Sequence, residues 1–328
     1  MNSDHKETWE SHLCFDALSP LINSGNKAIA LFACRDLKGR SLQVQDLWQE
    51  KEVQSIIKKQ LPDGSWKYPN PPGNGAEGNF NQYQTFKNLG ILIEKYGFDK
   101  THPAIQNTAE YLFSVQTDAG DFRGIYDKQY TPNYTAAIAE LLIKAGYSGD
   151  RRIKRVFNWL LATRQLDGGW ALPFRTQGYN IDVTYSHPTT IQPDFSKPFS
   201  HMVTGVILRA FAAHPQNRNV PEARQAGRLL LGSLFNKDSY PDRGTRKYWL
   251  RFVFPFCYTD IISALDSLSL LGFSEKEPQI EKALNWFVEQ QQLSGLWDFK
   301  ITAGRDKDTL QLWLALAVCR IFKRFAER

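Results

Sequence analysis

Apolar residues recur along most of the chain at helical spacing, and two kinds of helical segment alternate. One kind carries a single apolar face, as in RIKRVFNWLL and KALNWFVEQQ. The other kind is apolar on most sides, as in FSHMVTGVILRAF and LQLWLALAVCRIF. The pattern predicts about eleven helices that alternate between these two kinds.

A helix that is apolar on most sides must be surrounded by other helices. The sequence therefore predicts an all-α fold in which the apolar helices form an inner ring and the one-faced helices form an outer ring. We expect a single α/α toroid of about five or six helix pairs over residues 1–328, with the first ~18 residues disordered. The predicted outer segments are residues 46–60, 103–116, 151–165, 221–235 and 278–292.

A short motif closes four of the outer segments. It reads QLPDGSW at 60–66, QTDAGDF at 116–122, RQLDGGW at 164–170 and QQLSGLW at 291–297. A glutamine, or Arg164 in one copy, stands four residues before a glycine, and an aromatic residue follows two positions later. We expect the glycine to adopt a backbone conformation closed to other residues and the ring to pack, which is a structural role.

This motif resembles the repeat of squalene–hopene cyclases and other class II terpene cyclases, and it is similar to the repeats of protein prenyltransferase β subunits. The resemblance covers the chain from about residue 20 to about residue 325, and it implies the α/α toroid fold. Related toroids also include polysaccharide-degrading enzymes and non-enzymatic modules. Function must therefore be inferred from the cavity inside the ring.

Composition narrows the classes of function. The formal charge of +6 is spread along the chain, and no nucleic-acid-binding motif accompanies it, so nucleic acid is not an expected partner. Four separated cysteines without a CxxC motif favour a reducing cytoplasm. No apolar run reaches the ~18 residues of a membrane span, so we expect a cytoplasmic protein with at most peripheral membrane contact. Its oligomeric state is not predicted.

Candidate acids stand where predicted inner helices begin. Because all inner helices of such a ring point the same way, their N-termini are expected to meet at one end of the cavity, which we call the mouth. The resemblance to class II cyclases implies a DxDD motif whose central aspartate protonates the substrate, but the chain has no DxDD. The nearest strings, RDKDTLQLWLAL and CYTDIISAL, supply Asp306, Asp308 and Asp260. Asp308 and Asp260 are the predicted acids, and simple helix capping is the alternative.

The resemblance to prenyltransferase β subunits implies other roles. His201 stands where their diphosphate-binding histidine would lie, and Cys257–Tyr258 stand at their Cys–Tyr pair. Pro255 replaces the zinc-binding aspartate, and Asp308 replaces the zinc-binding histidine, so a zinc site is not expected. Mg²⁺ is expected only if the substrate is a diphosphate. His201 is predicted to bind an anion or relay a proton, unless it is only a hydrogen-bonded structural residue.

The stretch RKYWLRFVFPFCYTD, residues 246–260, combines cations with aromatic rings directly before an apolar helix. We predict that it lies across the mouth, where its cations neutralise a diphosphate or carboxylate and its rings line a hydrocarbon pocket. The alternative is a loop with buried rings and solvated cations. The predicted substrate-binding residues are Tyr83, Tyr134, Arg246, Lys247, Trp249, Arg251, Phe256, Tyr258 and Trp313.

A second irregular segment, residues 171–198, is longer than most loops inside compact domains. We predict that it forms a lid over the cavity. The lid would bring polar side chains near the substrate, namely Asp182, Tyr185, His187 and Asp194.

The favoured hypothesis is a terpene cyclase-like enzyme that cyclises a polyisoprenoid, such as a prenyl diphosphate or a prenylated aromatic, after protonation by a mouth aspartate. It predicts that Asp308 or Asp260 is buried. The alternatives are a non-catalytic toroid that binds a prenyl group, a lipid or a protein, and a prenyltransferase-like enzyme. A carbohydrate-active toroid needs two carboxylates that flank a sugar bond, and Asp306 and Asp308 are too close in sequence for that role.

Overall fold

The computed structural model describes residues 8–70, 78–304 and 306–327. Within these ranges the regular secondary structure is helical, and extended pairing is limited to isolated backbone bridges. The α-helices of the described residues are α1 (Leu18–Ile22), α2 (Lys27–Asp36), α3 (Lys51–Ile57), α4 (Phe80–Tyr96), α5 (Pro103–Ser114), α6 (Pro132–Leu142), α7 (Arg151–Ala162), α8 (Pro173–Thr176), α9 (Ile181–Ser186), α10 (His201–Ala213), α11 (Pro221–Ser233), α12 (Ile261–Leu270), α13 (Pro278–Gln290) and α14 (Lys307–Ala326).

Six of these helices form a closed inner ring. In chain order α2, α4, α6, α10, α12 and α14 each contact the next, and α14 contacts α2. Helix α10 is buried at every position from His201 to Ala212, as expected for a helix surrounded by others. Helices α3, α5, α7 and α11 pack outside the ring, and α13 lies beside α11. The predicted all-α toroid with inner and outer rings is confirmed.

The glutamines of the repeated motif join one outer helix to the next. Gln60 donates through Nε2 to the carbonyl of Gly64 at 3.1 Å and to that of Ala104, at the start of α5, at 2.9 Å. Gln116 repeats the arrangement with Gly120 and with Arg152 at the start of α7, both at 2.9 Å. Each glutamine therefore bonds within its own motif and also to the first turn of the following outer helix.

The motif glycines are required because the next outer helix comes very close. Gly64 has φ +87°, and a Cβ there would lie 2.2 Å from the carbonyl oxygen of Asn107 in α5. Gly295 has φ +81°, and a Cβ there would lie 1.9 Å from the carbonyl oxygen of Asp16. Both the left-handed backbone and the missing side chain are needed, so the predicted conformational role of the glycine is confirmed.

The repeated motif does not follow the outer helix α11. Trp249, from a later part of the chain, makes the contact that the motif tryptophan makes in other repeats. The indole nitrogens of Trp66, Trp170 and Trp297 donate to backbone carbonyls ten residues upstream, those of Ile56, Leu160 and Phe287. Trp249 donates at 2.9 Å to the carbonyl of Asn236, just beyond α11, and it is 2% exposed. Its ring therefore serves the outer layer in the same way as the motif tryptophans.

The N-terminal segment is packed from Trp9 onwards, and residues 1–7 lie outside the described ranges. Trp9 is buried, and the backbone of Phe15 exchanges two hydrogen bonds with the Gln291 side chain, at 3.0 and 2.9 Å. Among the described residues, no helix is both long and apolar enough to span a membrane.

Residues 171–198 contain the short helices α8 and α9 and are tied to the neighbouring loops. Arg175 forms an ion pair with Asp242, ahead of the 246–260 stretch. The Gln129 side chain accepts a hydrogen bond from the backbone N–H of Ile191 at 2.8 Å, just before α6 begins. The segment is thereby held beside the entrances of inner helices.

Candidate functional site

The predicted mouth residues include several helix caps. Asn79 caps α4, Ser200 caps α10, Asp260 caps α12 and Asp306 caps α14, each accepting a hydrogen bond from a backbone N–H in the first turn. Such caps satisfy backbone donors that have no partner within the helix. Capping is thus one real role of these residues, and only features beyond it point to chemistry.

Asp260 has such features. It is 0% exposed, and its Oδ1 accepts from the backbone N–H of Ser263 at 2.8 Å while the Ser263 hydroxyl accepts from the Asp260 N–H at 2.9 Å. Its Oδ2 is buried and has no hydrogen-bond partner among the described residues. Burial raises the pKa of Asp260 to about 7, against the opposing effects of the Ser263 hydrogen bonds and the Arg209 charge. The carboxyl therefore carries a proton over much of the neutral range.

Asp306 and Asp308 lie in a different environment. Both are exposed, and the hydrogen bonds from Thr309 lower the pKa of Asp306, with a smaller contribution from Lys95. Lys95 lies in the last turn of α4. Helix α14 nevertheless runs parallel to its neighbours. Arg320 and Arg324 near its C-terminus pair with Asp36 at the end of α2 and with Asp266 of α12, and Thr302 ahead of its start bonds to Tyr258 ahead of α12.

His201 is held by neighbouring side chains at the start of α10. Its ring lies 4.7 Å from that of Trp249, and its Nδ1 lies 3.5 Å from the Asp238 carboxylate. Burial lowers the pKa of His201, and the opposing charge of Asp238 does not outweigh this effect. Asp238 also accepts from the Ser200 hydroxyl and from the N–H of Met202, at 2.9 and 3.0 Å. These contacts fix the start of α10.

Tyrosine rings from three parts of the chain meet at the mouth. Tyr134 of α6 makes edge contacts with Tyr83 of α4 at 6.2 Å and with Tyr126 at 5.6 Å, and Tyr126 contacts Tyr185 of α9 at 5.6 Å. We call these four residues the tyrosine cluster. Burial raises the pKa of all four hydroxyls, most strongly that of Tyr134, so the rings remain neutral.

Cys257 lies at the entrance of α12, three residues before Asp260. Burial raises the pKa of its thiol to about 11, although Arg209 and Arg243 oppose the shift, and yet the residue is exposed to solvent. The thiol therefore lies in a recess that solvent reaches. Cys257 also contributes to raising the pKa of Tyr83 and of Tyr134, so it lies near both residues.

The cations of the 246–260 stretch are distributed unevenly. Arg246 and Lys247 are exposed, and Lys247 and the partly buried Arg251 stack on the Tyr248 ring at 5.7 and 5.1 Å. Arg243, just outside the stretch, lies 3.6 Å above the Tyr258 ring and also affects the pKa of Tyr83. Arg243 is thus the cation near the cavity wall, while Arg246 and Lys247 point to solvent.

The remaining predicted aromatic residues take up different positions. Trp249 is buried beside His201, and Tyr258 is 6% exposed, with its hydroxyl bonded to Thr302. Phe256 is partly exposed next to Phe254. Trp313 is buried and stacks on Phe254, with ring centroids 5.3 Å apart and planes 8° apart.

A family model for the squalene–hopene cyclase C-terminal domain matches residues 131–312, more than half of the chain. The chain belongs to this family. Two solved structures of single-residue variants of the type II terpene cyclase MstE from Scytonema are similar to this chain at 15% identity. The apo structure aligns over 95% of this chain and 97% of MstE with a TM-score of 0.46. The complex with its substrate geranylgeranyl dihydroxybenzoate aligns over 94% and 97% with a TM-score of 0.43. A search of curated proteins found no match.

The zinc site of the prenyltransferase resemblance does not fit the residues of this cyclase-family chain. Pro255 offers no ligand atom, Asp308 is exposed at the start of α14, and the Cys257 thiol is protonated. Within the part of the chain that the structure describes, no three His, Cys, Asp or Glu side chains are grouped closely enough to hold a metal ion.

Sequence reasoning missed three residues of this wall. Tyr126 lies in an irregular stretch before α6, Lys87 is an exposed cation one turn after Tyr83 on α4, and Gly90 lies opposite Pro255. The spacing of Tyr83 and Lys87 places them on one face of α4, and that signal was available in the sequence. Two clefts of ≈ 340 and ≈ 480 Å³ lie elsewhere, against α13 and around residues 10–19.

Proposed function

We propose that the chain is a class II terpene cyclase-like enzyme that cyclises a polyisoprenoid after protonation by Asp260. Membership of the squalene–hopene cyclase family supports the reaction class. The observation that carries the assignment of the acid is the buried Asp260 carboxyl, whose Oδ2 has no partner among the described residues and whose pKa burial raises to about 7. A carboxylic acid that keeps its proton near neutral pH can donate that proton to an alkene or epoxide.

The surroundings of Asp260 suit a substrate that develops positive charge. The Cys257 thiol lies close enough that Asp260 contributes to raising its pKa, so the acid stands directly behind the cavity wall. Across the cavity, the faces of the tyrosine cluster can stabilise a carbocation. Since the hydroxyls of the cluster remain protonated, no phenolate is present to trap the cation.

A polar head group would find cations at the same wall. Arg243 over Tyr258 and the exposed Lys87 over Tyr83 both affect the pKa of Cys257, which places them around one space. A diphosphate or a carboxylate linked to the isoprenoid would be neutralised there. If the head group is a diphosphate, Mg²⁺ would accompany it as part of the substrate complex.

Product analysis with purified protein tests this function. Free, diphosphorylated and aromatic-linked prenyl chains are incubated with the wild type, Asp260→Asn and Asp308→Asn, each with and without chelator. We expect a cyclic product from the wild type and from Asp308→Asn, and a loss of at least about a hundredfold in Asp260→Asn, since general acid catalysis contributes that much or more. Unfolding curves establish that both variants are folded.

The alternative results are equally informative. If Asp308→Asn formed no product while Asp260→Asn remained active, the catalytic acid would be Asp308 at the entrance of α14. Product formation that stops on chelation would assign the first step to a metal-bound diphosphate.

A non-catalytic toroid that binds a prenyl or lipid ligand is the second candidate. Two observations favour it: Asp260 has no exposed surface, and the Phe254–Pro255 segment reaches across the ring. Saturable binding of a prenyl chain without product after long incubation, unchanged in Asp260→Asn, would establish this function in place of the first.

A further inference from the structure

The 246–260 stretch crosses the ring of helices. Its Phe254 and Pro255, which we call the tip, precede α12, and α4 stands opposite α12 in the six-helix ring. A Cβ on Gly90 of α4 would lie 3.7 Å from the Pro255 Cβ and 3.7 Å from the Leu141 side chain of α6. Phe254 stacks on Trp313 of α14. The tip therefore lies against two inner helices, α4 and α14, at the depth of Gly90.

Aromatic and solvent-exposed side chains lie on the mouth side of the tip. Tyr83 lies seven residues before Gly90 on α4, or about 10 Å along the helix. Between them Lys87 is exposed, and on the opposite wall Cys257 is exposed. We call the space bounded by Tyr83, Tyr134 and Cys257 the upper chamber.

The space on the far side of the tip is charged. Glu94 lies four residues beyond Gly90, about 6 Å further along α4. It pairs with Lys144, which follows α6, and Lys144 also pairs with Glu140 at the depth of the tip. A hydrocarbon chain that entered this region would strip water from these ion pairs without replacing its hydrogen bonds, which is unfavourable.

We propose that the tip is the floor of the ligand chamber and that it limits the length of the prenyl chain accepted there. This proposal rests on the prenyl ligand class proposed above, but it does not require turnover. A phenyl ring has about the volume of one isoprene unit, so removing the Phe254 ring deepens the chamber by about one such unit.

Protection of Cys257 from a maleimide tests the proposal. Cys14 and Cys34 are replaced by serine so that Cys257 is the accessible thiol, since Cys319 is buried. Geraniol, farnesol and geranylgeraniol are titrated against labelling of this background, of Phe254→Ala and of Phe254→Leu. We expect the longest protecting alcohol to grow by one isoprene unit in Phe254→Ala, with at least about tenfold tighter protection by that alcohol, and a smaller shift in Phe254→Leu. Phe15→Ala is the matched control, because this exposed ring lies on the N-terminal segment.

Either of two other outcomes would contradict the proposal that the tip is the floor of the chamber. Folded Phe254→Ala and Phe254→Leu proteins that keep the length preference of the background would show that the tip does not set chamber depth. Absence of protection by every alcohol in every variant would show that no prenyl chain occupies the upper chamber. If the protein is an active cyclase but the variants keep the length preference, the proposed floor is wrong and the proposed function stands. If the protein is inactive but protection shifts to a longer alcohol, the proposed function is wrong and the floor stands.

Discussion

Asp260 combines two roles that favour opposite charge states. As the cap of α12 it accepts from the N–H of Ser263, which favours the carboxylate. As a residue with no exposed surface and an unpartnered Oδ2, it favours the neutral acid. Burial dominates and raises the pKa to about 7, so folding takes up a proton at this residue between its unfolded pKa and neutral pH.

This proton uptake predicts a pH dependence of stability. Because the folded state binds more protons than the unfolded state between about pH 4 and about pH 7, Asp260 makes the free energy of unfolding fall as pH rises through that window. The full penalty, on the order of a few kcal/mol, applies above the folded pKa. In Asp260→Asn this fall is expected to disappear, as measured by urea unfolding at a series of pH values.

Asp308→Asn serves as the comparison for that series, because Asp308 is exposed in the folded protein. Its curve should follow the wild type. A wild-type curve that runs parallel to that of Asp260→Asn from pH 4 to pH 8, both values approximate, would mean that the Asp260 carboxyl is already ionised in the folded protein.

At the scale of the element, the glutamine of the repeated motif connects neighbouring outer segments through hydrogen bonds. Gln291 illustrates it: its Nε2 donates to the carbonyls of Gly295 and Phe15, both at 2.9 Å, and its Oε1 accepts from the Phe15 N–H at 3.0 Å. The N-terminal segment is thereby bonded to the loop that follows the last outer helix. One side chain thus links residues 276 positions apart.

Replacing Gln291 with alanine should cost about 1–3 kcal/mol of unfolding free energy, because buried backbone groups lose their partners. Urea denaturation checks this value. The adjacent Gln290 is exposed, so Gln290→Ala is a matched control with an expected change below about 0.5 kcal/mol. If the two substitutions lowered the free energy of unfolding equally, the motif glutamine would have no special role.

Local patterns made the elements predictable, whereas contacts between distant segments remained hidden. The helical period of segments such as RIKRVFNWLL and the fixed spacing of Gln60, Gly64 and Trp66 are local properties, so they predicted α7 and the outer-helix motif. Trp249 replaces the motif tryptophan from a different spacing, and sequence reasoning assigned it to substrate instead. The contact between Pro255 and Gly90 depends on how the ring closes, and no local pattern encodes it.

At the scale of the whole molecule, ion pairs link neighbouring helices of the inner ring. The pairs are Asp36–Arg320 between α2 and α14, Asp266–Arg324 between α12 and α14, Glu140–Arg209 between α6 and α10, and Glu94–Lys144 between α4 and the end of α6. The tyrosine cluster and Cys257 lie on the mouth side of the tip, Glu140 lies at the depth of the tip, and Glu94 and Lys144 lie beyond it. The mouth side of the ring therefore suits a hydrocarbon, whereas the ion pairs hold neighbouring helices together.

The Glu140–Arg209 pair is the most buried of these links, with both side chains 6% exposed or less. Glu140→Gln leaves the Arg209 guanidinium buried without its carboxylate, and breaking such a pair typically costs about 3–5 kcal/mol. We expect a loss of this size in urea denaturation, because Arg209 forms no other ion pair with a described residue and its 3.5 Å contact with the Tyr258 carbonyl is long.

Glu110→Gln provides the contrast within the same protein. Glu110 also pairs with an arginine, Arg152, at 2.9 Å, but its side chain is 65% exposed, so water compensates for the lost charge and the expected cost is below about 1 kcal/mol. If Glu140→Gln cost no more than Glu110→Gln, water would have to reach Arg209 in the folded ring. The charged side of the cavity would then be hydrated, and the dehydration of ion pairs would no longer oppose the entry of a hydrocarbon chain. The tip alone would then have to keep the chain in the upper chamber.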